Sequence, residues 1–172
     1  MKIRITTLTL VACLSATPLQ AQVIDPGLWE ITSPNMEIDG WKMPSVPEIL
    51  GSLPQEQRQN MEGILRQRGV ELAGQDVRVC LTREQVEANE LPLQDPQSGC
   101  RQQITDRNAS AWKFRFECPD TRGTGEARFI SSKEFQTTID STFTTGNVER
   151  SGKVETHSRW LQADCGAVKP VQ

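Results

Sequence analysis

The sequence contains no tyrosine and one histidine, His157. A single imidazole excludes a two-histidine metal site, and any Ser–His–acid triad would have to use that one residue. His157 lies in an alternating segment where Lys153, Glu155, His157 and Arg159 share one side, and Val154, Thr156, Ser158 and Trp160 the other. It therefore reads as a solvated strand residue. No Gly-x-Ser-x-Gly nucleophile elbow is present. Gly123-Thr124-Gly125 lacks the third glycine of a phosphate cradle and leads into a strand rather than a helix. There is no basic run, which argues against nucleic acid or an anionic membrane as partner. Carboxylates are plentiful, but neither spacing nor pattern singles out a pair for glycosidase-type chemistry. Met36, Met43 and Met61 are soft enough for copper but scattered, and read as packing residues. No cofactor, metal or catalytic residue is expected, and the chain reads as a non-enzyme.

No apolar stretch reaches the ~20 residues of a membrane helix, so no transmembrane segment is expected. What the N-terminus does have is a basic start at Lys2 and Arg4, a short apolar run to Ala16, and Leu19-Gln20-Ala21 before Gln22. That is the pattern of a secretory signal peptide. Cleavage is expected after Ala21, leaving residues 22–172 as one periplasmic domain with 17 basic and 22 acidic residues, net −5 instead of −3. Leu10-Val11-Ala12-Cys13 competes as a lipobox, but the segment before Cys13 is short and a good cleavage site follows it. The lipoprotein reading is therefore second.

Four cysteines remain in the mature part: Cys80, Cys100, Cys118 and Cys165. An even count in an exported chain reads as disulfides, and the wide gaps do not suit zinc. Trp112-Lys-Phe114-Arg-Phe116-Glu-Cys118 alternates with period two after the polar break Arg107–Ser110. A hairpin centred on Ala109 places Cys100 opposite Cys118, Ile104 opposite Phe114, and Asp106 opposite Trp112. The cross-strand bridge Cys100–Cys118 follows, which leaves Cys80 for Cys165. Asn108-Ala-Ser110 matches a glycosylation acceptor but is also what a hairpin tip looks like, so it is assigned no function.

Elsewhere, Leu28–Thr32 reads as a short first strand, followed by a proline-punctuated stretch from Pro34 to Pro47. Helix formers run from Glu48 to Leu53 and from Pro54 to Arg68. Ser52 is the expected cap of the second piece, Gly69 its stop, and Met61, Ile64 and Leu65 an apolar stripe lying on the sheet. Val77–Leu81 is a strand, Thr82–Gln85 has capping-box spacing and starts a short helix to about Asn89, and Pro92, Pro96 and Gly99 mark a loop. From Cys100 the rest is strand and turn: the hairpin, then 124–130, 135–145 and 148–161. Phe135, Ile139 and Phe143 alternate there with Gln136, Asp140 and Thr142. The expected fold is mainly β: a curved antiparallel sheet or partial barrel in meander order, with one longer and one short helix against it.

Pro26-Gly27-Leu28-Trp29-Glu30, Val79-Cys80-Leu81-Thr82 followed by Glu84-Gln85, and Trp160-Leu161 with Ala163-Asp164-Cys165 together resemble an exported bacterial family, domain-of-unknown-function family 3617. The Gln55–Arg58 to Gly69-Val70 helix fits a common member form. Gln162 departs from it, standing where a glycine is expected before Ala-Asp-Cys. The resemblance implies export, paired cysteines and a mainly β domain, but no activity. The expected function is a non-enzymatic binding module of the cell envelope, with Trp112, Phe114 and Phe116 as the candidate apolar face for an apolar ligand or envelope component. An interaction module using an edge strand or the Pro34–Pro47 segment comes second, and a hydrolase of unknown type third.

Overall fold

The computed structural model describes residues 24–88 and 99–171. The expected leader, Cys13, and the loop around Pro92 and Pro96 lie outside them. The described residues form β1 (Gly27–Ile38), β2 (Trp41–Lys42), α1 (Val46–Gly51), α2 (Gln55–Gln67), β3 (Val70–Ala73), β4 (Asp76–Leu81), α3 (Arg83–Glu87), β5 (Arg101–Arg107), β6 (Ala111–Glu117), β7 (Thr121–Ser131), β8 (Glu134–Thr145) and β9 (Val148–Gln162). The nine strands make one antiparallel sheet in the order β3-β4-β1-β9-β8-β7-β6-β5, with β2 paired to β1. The sheet is open, with β3 and β5 as its edges. Strands β5 to β9 are the expected meander, and β1 closes onto β9 from the far end of the chain.

Several local expectations are corrected. β1 is twelve residues long and runs through Pro34. A register shift between Thr32 and Asn35 accommodates the proline, which has no N–H to give to the ladder. β3 was not expected at all. It is a four-residue partner of β4 that begins straight after Gly69, whose φ of +80° stops α2. Ser52 does not cap α2: it is the C-cap of α1 and its Oγ donates to the Ile49 carbonyl at 2.7 Å. α1 instead starts on a Ser45–Glu48 capping box, and α2 starts at Pro54 without a side-chain cap. α2 meets the sheet mainly at β3. Its stripe is not covered, since Met61 and Ile64 stay 43% and 48% exposed. The Thr82–Gln85 capping box forms in both directions.

In the β5–β6 hairpin, Ile104 faces Phe114 as expected, but a bulge at Thr105 shifts the register beyond it. Asp106 faces Lys113 and Arg107 faces Trp112, where Asp106 was expected. The cause is a tight tip: Asn108 Oδ1 accepts from the backbone N–H of both Ser110 and Ala111, at 2.9 Å each. The shift brings the Arg107 guanidinium 4.2 Å from the centre of the Trp112 ring.

One face of the sheet carries the apolar alternation of every long strand. Where the chain needs two rings to lie flat on it, the facing strand has glycine. Phe116 lies over Gly123, and Phe114 over Gly125 so closely that a β-carbon there would overlap the ring. Gly125→Ala is therefore expected to cost about 1–3 kcal/mol through forced displacement of Phe114. Urea denaturation measures it, and an unchanged midpoint would show that the ring moves freely.

A curved apolar hollow between two core clusters

The core is divided. One cluster gathers Trp29, Val79, Leu81 and Val86, flanked by Ile24, Ile31, Val70, Phe135, Trp160 and Val171. The other gathers Trp112, Phe114 and Ala127, flanked by Ile104, Phe116, Phe129 and Ile139. Between them the apolar face of the sheet leaves a hollow of about 320 Å³. Its aromatic wall is a chain of ring contacts: Trp112 meets Phe129 edge-on at 5.1 Å, Phe129 meets Phe135 at 6.1 Å, and Phe135 meets Trp29 at 5.1 Å. Val77 and Val79 of β4 and Ile31 of β1 contribute the aliphatic side, with Ile139 of β8.

None of the described residues that line the hollow has an ionisable side chain. Its polar lining is three hydroxyls, Thr137, Thr156 and Ser158. Ser158 is 1% exposed, the one buried polar residue among those described. It sits on β9 between Ile31 of β1 and Phe135 of β8. Its small side chain lets the rings of Trp29 and Phe135 meet across β9. Its hydroxyl makes no hydrogen bond to another described residue and is not among the fully buried atoms left unpaired, which are Arg78 Nε and the Gln102 side-chain amide.

Both ends of the described chain reach the hollow, through Ile24 and Val171. The C-terminal segment is a strap along β4: Pro170 bridges Cys80, Val171 N–H donates to the Cys80 carbonyl at 3.2 Å, and Gln85 Nε2 donates to the Val171 carbonyl at 2.7 Å. The Cys80–Cys165 disulfide ties the strap's start to the same strand, and Cys100–Cys118 joins β5 to β6.

The three motifs at the chain's two ends and in β4 converge at this corner. Trp29 faces Trp160 and Leu28 faces both Cys80 and Gln162. The Trp160 indole N–H donates to the Pro26 carbonyl and that of Trp29 to the Asp25 carbonyl, each at 3.0 Å. Gly27 is pressed against Ala163, where a β-carbon would come within 2.9 Å of its Cα. Gln162, in place of the expected glycine, folds its side chain back to donate to the Asp164 carbonyl at 2.8 Å.

Of the three expected apolar-face residues, Trp112 lines the hollow, while Phe114 and Phe116 are packed beside it over the glycines. The residues that complete the lining, Trp29, Val79, Phe129, Phe135 and Ser158 among them, were not assigned to a binding face from sequence. Alternation marks them as inward-facing, but only the curvature of the sheet shows which inward residues border empty space. His157, next to Ser158, points to the opposite face and lies 2.8 Å from Glu134. That face also carries a wider, shallower depression of about 610 Å³ lined by Lys113, Glu126, Arg128 and Asp140. Arg128 and Glu126 pair at 2.8 Å there, and the Glu126 carboxyl is held below its ordinary pKa by that hydrogen bond. No group of three or more potential ligands capable of holding a metal occurs among the described residues, and none of their helices is long and apolar enough to cross a membrane.

The class defined by these features is a disulfide-stapled, open antiparallel β-sheet domain with an apolar hollow on its inner face. The chain belongs to the family described as Protein of unknown function (DUF3617), which matches residues 24–165. It is also similar to the "Uncharacterized protein in lpd-3 5'region" of Pseudomonas putida, at 50% identity over 137 residues, covering 78% of this chain and 96% of that one. No solved structure matches.

Proposed function

We propose that this protein is a non-catalytic binding module of the bacterial periplasm that holds an apolar small molecule, or the apolar part of an envelope component, in the hollow between its two core clusters. The observation that carries the reading is the hollow itself, a space of about 320 Å³ whose described lining is uncharged and aromatic, on a disulfide-stapled sheet. Its volume is at the lower end of the ~300–1,000 Å³ of ligand pockets, enough for one chain or one small ring system. Export rests on the N-terminal pattern and fits the two disulfides.

The test is fluorescence titration with N-phenyl-1-naphthylamine, an uncharged apolar probe. The native protein is expected to bind it, and Thr137→Trp, which places an indole in the hollow, to weaken binding at least tenfold while the fold is retained. Equal binding by the variant, or none by the native protein, overturns the reading. A second reading, contact with an envelope protein, is favoured by Trp41, 78% exposed on β2, with Val46 and Ile49 of α1, also exposed, following it in sequence. A stoichiometric partner that co-purifies with the native protein and is lost with Trp41→Ala would support it.

A further inference from the structure

Resting on the binding reading above, we infer that the occupant of the hollow is an uncharged molecule carrying one oxygen function, an alcohol or carbonyl, and that Ser158 is the residue that recognises it. Two observations lead there. The described residues that line the hollow offer no counter-charge, so a carboxylate, phosphate or amine placed among them would be desolvated without a partner. A purely hydrocarbon occupant, in turn, gives nothing to bond to the hydroxyl of Ser158, which lines the hollow without a partner among the described residues. An alanine at 158 would let the Trp29 and Phe135 rings meet just as well, so the close ring packing explains a small residue there but not a hydroxyl. A serine hydroxyl both donates and accepts, so it pairs equally with an alcohol or a carbonyl. Thr137 and Thr156, which face each other across β8 and β9 one inward position along from Ser158, are less buried, whereas Ser158 is the most buried of the three.

The experiment is displacement of N-phenyl-1-naphthylamine by 1-octanol, octane and octanoate from the native protein, Ser158→Ala and Ser158→Thr. In the native protein 1-octanol and octane displace the probe, and octanoate at pH 8 does not. Ser158→Ala is expected to weaken 1-octanol roughly three- to tenfold, the contribution of one hydrogen bond, with octane unchanged or tighter. Ser158→Thr, which keeps the hydroxyl, retains the alcohol's affinity more than alanine does, and so separates recognition from packing. If octanoate competes as well as octanol, or if Ser158→Ala shifts octanol and octane alike, the inference falls while probe binding still supports the module. If the native protein binds no probe, both fall.

Discussion

Removing the Cys80–Cys165 bridge as Cys80→Ala/Cys165→Ala is expected to destabilise the protein by about 4–5 kcal/mol, against about 3 kcal/mol for Cys100→Ala/Cys118→Ala. The difference comes from loop length. The first bridge closes a separation of 85 residues and the second one of 18, and the entropy that a cross-link removes from the unfolded chain grows with the logarithm of that length. Either loss is a large share of the ~5–15 kcal/mol of a typical domain. The two bridges differ in a second way. Cys100–Cys118 staples neighbouring strands that already pair through β5 and β6. Cys80–Cys165 ties β4 to the segment that becomes the strap, and Val171 at the strap's end lines the hollow. Urea midpoints at constant m-value measure the stability terms. Probe titration of the folded variants is expected to show weaker binding for the Cys80/Cys165 pair alone. Equal losses of stability from the two bridges would mean that residual structure in the unfolded chain, rather than loop length, governs the effect.

How far this architecture can be read without coordinates depends on how local its determinants are. The β5–β6 hairpin was legible because three aromatics and a cysteine at every second position define a strand face, and the polar break before them locates the turn. Its one misplaced pair, Asp106 with Trp112, came from a bulge whose cause is a side-chain acceptor, Asn108, capturing two backbone N–H groups. β1 was truncated because Pro34 looked like a terminator, whereas a register shift absorbs it. β3 was missed because four residues carry almost no periodicity and its partner β4 supplies the stability. The hollow was half legible. Trp112 was placed on the right face, and Ser158 was placed with Val154, Thr156 and Trp160 opposite the polar residues, but nothing in the alternation set it apart from them. Its significance depends on Ile31 and Phe135, both more than 20 residues earlier in the sequence, being its cross-strand neighbours. Curvature is a collective property of nine strands, and no segment contains it.

The four tryptophans make the same point quantitatively. Trp29→Ala is expected to cost about 3–5 kcal/mol, as for other fully buried aromatics, and Trp41→Ala less than about 0.5 kcal/mol. Trp29 is fully buried, donates its indole N–H to the Asp25 carbonyl and stands against Phe135. Truncating it removes a ring from the core and the wall of the hollow at once, and it leaves the Asp25 carbonyl and the Ser158 hydroxyl beside a cavity. Trp41 has 78% of its surface in water already, so its loss takes almost nothing from the folded state. Trp29→Phe keeps the ring contact with Phe135 but not the indole hydrogen bond, and is expected to fall between the two. Paired urea curves for the three variants decide it. A Trp29→Ala loss no larger than that of Trp41→Ala would mean that the corner where β1, β4 and β9 meet, with the strap and its disulfide, holds the fold without the indole. Trp29 would then be there to shape the hollow rather than to stabilise the sheet.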